Sequence, residues 1–448
     1  MNHIDRAIMQ TADTLYFSSS AEKPLAYSER GPISLGTFRS DVQRLTDQLE
    51  NPGDVLLTCP GRYGFAVALL ASWLKGKAAI LPPNQLEHTL TAIREEYPLT
   101  FECDLDWGQR LADPRADHAH GEWNVDLTAN STAVKIFTSG SSGDPKVIHK
   151  SIANLLEEAR VIRDCFEWPR GPVVASVTPQ HLYGLTFSLM LPWVSNLPWI
   201  DHTPLFTQDL LQTLKETGAG TFISVPAQYR ALLEEEADLR GLMCVSAAAP
   251  LNKQTATQWQ QQFGAQIMEI YGSTETGVVA FRHTKSSETW TPFPQVKLSA
   301  KKELLWVQSP FMSPAWEAGF QTADHVTLNN DGAFILHGRA DSIVKIAGKR
   351  VSLTNIEKHL LANPEITDAA VIAVPSKGLI RDNTLWAAVV AQYAHNYTAK
   401  TLQSLLRKKL DGIEIPRRIV FVEKLPRKAN GKLPRKELEK LLGLNQRV

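Results

Sequence analysis

The chain has 448 residues, 43% of them hydrophobic, enough for a large core and, on length, for two or three domains. Forty-seven basic residues balance forty-seven acidic ones, which argues against a nucleic-acid or membrane-surface binder and leaves small molecules and local patches as the expected partners. The four cysteines, Cys59, Cys103, Cys165 and Cys244, lack the close sequence spacing of a zinc site or redox couple and point to a reduced, cytoplasmic setting.

The opening "MNHIDRAIMQTADTLYF" has no basic stretch leading into an apolar core, and the apolar runs elsewhere are broken by Pro, Asn or Lys. Neither export nor a membrane anchor is therefore expected. Helical and strand-like segments alternate from residue 40 to 280, as in "FAVALLASWLKGKAAILPPN", where a helix ends at Gly76 and a strand at Pro82-Pro83. Such alternation predicts a layered α/β domain.

The segment "STAVKIF" alternates as a half-buried strand does, and "KVIHK" leads into "SIANLLEEARVIRDCF". There Ser151 is placed to cap a helix whose Ile152, Leu155, Leu156, Ala159 and Ile162 share one face. Between the two strands lies "TSGSSGDPK". Gly140 and Gly143 let successive N–H groups converge, Thr138, Ser139, Ser141 and Ser142 add hydroxyls, and Lys146 adds a positive charge, which together suit a polyphosphate. Asp144-Pro145 separates Gly143 from Lys146, so the loop is not GxxxxGK[ST] and a P-loop kinase or GTPase is disfavoured. Read alone, the loop is more simply a flexible Ser/Gly turn.

Further along, "TPQHLYGLTF" runs from a strand end into an apolar helix with His181 and Tyr183 at the junction, and "SVPAQYRALL" and "SAAAPL" follow. In "MEIYGSTETGVV" a strand ends in a turn that presents Tyr271, Gly272, Ser273, Thr274 and Glu275. Tyr271 offers a face on which a purine can stack, and Glu275 offers a hard oxygen for Mg²⁺. Residues 285 to 335 break into short alternating runs joined by turn residues, which predicts antiparallel β structure. Asp324 opens one such run, placed to accept from the hydroxyls of a ribose or merely to cap a turn. After "HGRADSIVKIAGKRVS" the pattern becomes strand, strand, helix, strand, a small α+β domain of about a hundred residues. The boundary falls at Ala340-Asp341, giving domains 1–340 and 341–448.

"TSGSSGDPK" resembles the phosphate-loop motif of the adenylate-forming superfamily, and the family's successive motifs are matched in order. They are "PQHLYG" (179–184), "SAAAPL" (246–251), "YGSTETG" (271–277), "TAD" (322–324), "GRADSIVKIAGKRV" (338–351) and "LPRKANGKLPRKEL" (425–438). The resemblance implies an α/β fold with a large multi-layer N-terminal domain, made of two α/β subdomains and a β-barrel-like subdomain, and a small mobile α+β C-terminal domain. It also implies ATP with Mg²⁺ as cofactors, and a reaction in which a small carboxylic acid is converted to an acyl-adenylate and then to a thioester.

Residue by residue, the resemblance assigns ATP binding to Thr138, Ser139, Gly140, Ser141, Ser142, Gly143, Tyr271, Gly272, Ser273, Asp324 and Arg339. The catalytic set is Lys146, Thr274, Glu275 and Lys432, with Glu275 as the Mg²⁺ ligand and Lys432 swinging in to neutralise charge as pyrophosphate leaves. His181, Tyr183, Val225, Ala247 and Ala248 are assigned to the acyl pocket, with the segment to Tyr229 as a further wall. Asp341 is the hinge about which the small domain turns, bringing Lys345 and Gly348 to the thiol tunnel.

Departures from the pattern fall at Ala247 and Ala248, where glycines are usual, at Ala323, and at Leu353. Arg417, Arg418, Arg427, Lys428, Arg435 and Lys436 make the small domain basic, fitting either the CoA 3′-phosphate or an acidic acyl carrier protein carrying phosphopantetheine. A carrier is slightly favoured, and the acid is expected to be aryl or medium-chain acyl, in keeping with the compact ligases of fatty-acid or aryl-polyene synthesis. Transfer to a non-thiol acceptor, and a non-catalytic nucleotide-binding relative, stand as alternatives.

Overall fold

The computed structural model describes residues 14–20, 23–111, 120–139, 145–346, 349–378, 381–392, 398–428 and 433–444. Of Thr138, Ser139, Asp341 and Lys345 the backbone is described; Gly140, Ser141, Ser142, Gly143, Gly348 and Lys432 lie outside the described residues.

Two large sheets build the body. The first has five strands in the spatial order Leu99–Cys103, Asp54–Leu57, Ala79–Leu81, Thr132–Ser139 and Pro145–Ser151. The first four run parallel and the last antiparallel, so the hydroxyl-rich loop connects two paired strands, with Thr138 opposite Lys146. The helix Arg62–Leu74 is buried on nearly every side, which accounts for its unbroken apolar sequence.

The second sheet has thirteen strands among the described residues. Its centre is parallel, in the order Trp199–Ile200, Val173–Ala175, Thr221–Ser224, Met243–Ser246, Ile267–Ser273. The chain then reverses, and Gly277–His283 pairs antiparallel with Ile267–Ser273. From there Thr289–Pro292, Phe334–Arg339, Phe320–Leu328, Leu304–Gln308 and Lys297–Lys301 continue the sheet in antiparallel fashion. The β segment expected from the alternating runs is thus continuous with the α/β sheet, joined to it through the Tyr271–Gly277 turn.

Beyond Arg339 the strands form separate small sheets. Ile343–Ile346 pairs with Lys349–Ser352, and Ile366–Gly378 pairs antiparallel with Arg381–Ala391, which runs parallel to Arg418–Phe421. Ser352 caps the helix Leu353–Leu361, so the leucine at 353 opens a helix. Val351, Ile356, Leu360, Ala387, Leu402 and Leu406 belong to a core of their own. Asn252 Nδ2 donates to Leu361 O at 2.8 Å, and Lys358 pairs with Glu288 at 3.2 Å, both across to the larger body.

Two details depart from the sequence reading. Cys103 Sγ lies 2.8 Å from Cys59 Sγ, both fully buried free thiols. Spacing in sequence hid this pair because parallel pairing of Leu57 with Cys103 brings together residues that are far apart in the chain. Tyr229, expected in a pocket wall, lies fully buried in the core with its ring edge on Trp259. Among the described residues no helix is long and apolar enough to cross a membrane.

Candidate active site

The turn after Ile267–Ser273 is fixed by its own short side chains. Ser273 N–H donates to Thr276 Oγ1 at 3.1 Å, and Thr276 N–H donates to Ser273 Oγ at 3.2 Å, closing the turn that carries Thr274 and Glu275 half-buried at its tip. Gly277 follows at φ +71°, the left-handed region that favours glycine.

Tyr271, at the start of that turn, packs its ring on Trp290 and Phe334, with centroids 5.6 and 5.7 Å away. Its hydroxyl donates to Asp324 Oδ2 at 2.7 Å. Burial, and then the Asp324 carboxylate, push the phenol well above its ordinary range, so it remains the donor. Asp324 faces Arg339 across the antiparallel ladder, and its N–H donates to Thr322 Oγ1 at 3.1 Å. Tyr271, Asp324 and Arg339, assigned separately from sequence, are therefore adjacent. A phenol, a carboxylate and an exposed guanidinium thus lie together, groups able to accept from hydroxyls and to donate to an anion.

The phosphate-loop side reaches the same place through a residue the sequence reading passed over. Lys150 is buried, its Nζ donating to Phe311 O at 2.6 Å and to Glu275 O at 3.3 Å. Burial pulls its pKa down to about 8, against the pull of Glu158 and Glu275. Glu158 is buried too, accepting from Val278 N–H at 2.6 Å and Thr186 Oγ1 at 2.8 Å, and burial raises its pKa. The signal was present in the sequence: strand alternation puts Lys150 on the face of buried Ile148, and helical spacing puts Glu158 in the stripe of Leu155 and Ile162. Downstream, Ser151 caps Ile152–Cys165 in a capping box with Asn154, as its sequence predicts.

The residues assigned to the acyl pocket gather at the carboxyl ends of the parallel strands. Tyr183 follows His181 in a short helix that passes through a π-helical turn, Thr186–Met190. Its hydroxyl lies 2.9 Å from both Ser224 O and Val245 O. Tyr229, from the opposite face of the sheet, donates to the same Val245 carbonyl at 2.9 Å. Those two phenols hold the strand end from which Ala247 and Ala248 emerge, and Val225 follows Ser224 as the cap of Pro226–Leu232. Ala247 is buried, while Ala248 is exposed at φ +72°, a left-handed alanine. Gln180 Nε2 donates to Cys59 O at 2.9 Å, tying the His181 segment to the first sheet.

No cluster of three metal-ligating side chains is found among the described residues. The single carboxylate of Glu275 fits Mg²⁺ arriving with ATP, because such an ion takes one or two protein oxygens and most of its shell from phosphates and water.

Comparison with known proteins decides the family. The family model for AMP-binding enzymes matches residues 84–301, and that for the AMP-binding enzyme C-terminal domain matches residues 355–432. The chain belongs to the AMP-binding enzyme family. This AMP-binding enzyme is 25% identical to the mitochondrial malonate–CoA ligase of Mus musculus, over 87% of this chain and 81% of that protein. Its fold matches that of an anthranilate CoA ligase in complex with anthranoyl-AMP, with a TM-score of 0.79 and 18% identity over 99% of this chain and 100% of that one. An amide bond synthetase from Marinactinospora thermotolerans matches with a TM-score of 0.77 and 19% identity, over 94% of this chain and 97% of that one.

Proposed function

We propose that the protein joins a small carboxylic acid to ATP, releasing pyrophosphate and forming an acyl-adenylate, and then passes the acyl group to the thiol of CoA. The observation that carries this reading is the contact of the Tyr271 hydroxyl with Asp324, opposite Arg339 and beside the Thr274–Glu275 turn. A carboxylate is a poor acylating agent. Attack of its oxygen on the α-phosphorus, with pyrophosphate leaving, gives a mixed anhydride, and a thiolate then attacks the carbonyl carbon and expels AMP.

In this reading Asp324 accepts from the ribose hydroxyls, Arg339 donates to ribose or phosphate, and Tyr271 bounds the purine. The Thr138–Gly143 loop and Lys146 hold the triphosphate, and Glu275 ligates its Mg²⁺. Lys432 contacts the α-phosphate and the substrate carboxylate, supplying positive charge where negative charge develops. Domain 341–448 turns about Asp341 to withdraw Lys432 and present Lys345 and Gly348 to the thiol. His181, Tyr183, Val225, Ala247 and Ala248 line the acyl pocket, which suits an aryl or medium-chain acid.

One observation moves the acceptor from a carrier protein towards CoA. The curated relatives include proteins named as CoA ligases. A panel of carboxylic acids scored by ATP-dependent pyrophosphate release, then by thioester formation with CoA and with phosphopantetheinylated carrier in parallel, tests the reading. Thioester with CoA is expected. Pyrophosphate release from no acid would remove the ligase reading, and thioester with the carrier alone would restore the carrier.

A further inference from the structure

Lys150 belongs to none of the motifs that carry the family resemblance, yet its bonds all run to the backbone around them. It lies on Pro145–Ser151, the strand that leaves the phosphate loop and carries Lys146. Its ammonium reaches across to Glu275 O and Phe311 O. Glu158 supplies the opposing buried charge and spends its own oxygens on Val278 N–H, just past the turn, and on Thr186 Oγ1 in the helix that follows Tyr183. Packing on Glu158 is close: a Cβ added at Gly277 would fall 2.5 Å from Glu158 Oε1 and 2.8 Å from Phe311 Cβ. The phosphate-loop strand, the Glu275 turn and the acyl-side helix are thus tied through one buried lysine and one buried glutamate.

Opposite charges buried near one another are weak grounds for stability, since apolar side chains of similar volume often serve as well. What an apolar pair cannot do is grip the Glu275 peptide by its carbonyl and the Val278 peptide by its N–H. We propose that Lys150 and Glu158 are positioning residues for the Mg·ATP site, holding the turn so that the Glu275 carboxylate meets the metal-bound phosphates in register with Lys146. The proposal rests on the reading of Glu275 as the Mg²⁺ ligand. Neither side chain touches the nucleotide; both act through the peptide of the turn.

The test is calorimetric titration of the full chain with Mg·ATP and, in EDTA, with metal-free ATP, beside a thermal melt. Single variants Lys150→Met and Glu158→Gln each leave one buried charge unpaired and are prone to unfold. The double variant K150M/E158L leaves none, removes both grips on the turn and is the informative one. It is expected to stay folded with a lowered melting temperature, to bind metal-free ATP as tightly, and to bind Mg·ATP about 10-fold more weakly, the loss typical of groups that orient a metal ligand. Glu275→Gln should show the same selective loss. If Glu275→Gln shows it and the double variant does not, the positioning role is overturned while the metal role stands. If Glu275→Gln binds Mg·ATP and metal-free ATP unchanged, the metal role fails and the inference with it. Equal weakening of both ligands in the double variant would mark the pair as merely structural.

Discussion

The hydroxyl of Tyr271 donates a 2.7 Å hydrogen bond to Oδ2 of Asp324, joining the end of a central strand to a residue 53 positions later. This bond fixes which carboxylate oxygen remains for other donors, so the aromatic wall and the carboxylate act as one unit. Tyr271→Phe keeps the ring and loses the donor. The expected result is an ATP KM raised about 5- to 10-fold with kcat little changed, in line with the net worth of one hydrogen bond, about 1 kcal/mol. Steady-state kinetics in ATP check it, and an unaltered KM would separate the two residues functionally.

Lys432 is proposed to supply charge at the α-phosphate. Lys432→Ala should slow acid-dependent ATP–pyrophosphate exchange roughly 100- to 1000-fold, the scale seen when one preorganised electrostatic group is removed. The melting temperature should stay the same. Full exchange activity in this variant would refute the proposed role.

Ala248 sits at φ +72°, where an L side chain is strained. Ala248→Gly relieves that strain at some cost in chain entropy, for a net gain of about 0.5–1 kcal/mol. Chemical denaturation should show a higher midpoint at unchanged slope. A lower midpoint would mean that the alanine methyl is worth more than its backbone costs.

Gly184 has no space for a side chain, because an added Cβ would lie 1.9 Å from Thr178 O. Gly184→Ala must push the Thr178–Pro179 backbone away and should cost at least about 2 kcal/mol. Since that backbone leads into His181 and Tyr183, exchange activity should fall alongside the melting temperature.

Glu357, in the helix of the small domain, has its pKa raised from 4.5 to about 7, chiefly by burial, with Val371 N–H and Arg427 opposing the shift. The folded state therefore holds this proton more tightly than the unfolded chain. Its contribution to stability is complete below pH 4.5 and is lost as pH rises through about 7. Glu357→Gln keeps an acceptor for Val371 N–H without the buried charge. At pH 8 it should be more stable than the unsubstituted chain by up to roughly 3 kcal/mol, and at pH 4 nearly equal to it. Parallel melts at the two pH values test the sign.

Much of the local structure is legible in the sequence. The Ser151 cap, the buried face of Ile152–Cys165, the strand endings at Leu81 and Ser273, and the strand–strand–helix–strand order after residue 366 follow from periodicity and capping rules that operate over a few residues. The order of the motifs added the family and its fold. These signals are local in the chain, so a sequence carries them outright.

Only the tertiary structure decided which distant atoms meet. Lys150 reaches Glu275 across 125 positions, Tyr183 and Tyr229 close on one carbonyl from opposite faces of a sheet, and Cys59 touches Cys103. Each contact depends on the spatial order of strands, which crossover connections set and which no short window of sequence contains. A buried lysine reads in sequence as a charged residue in an apolar register; what neutralises it, and whose backbone it holds, is determined when the sheets pack.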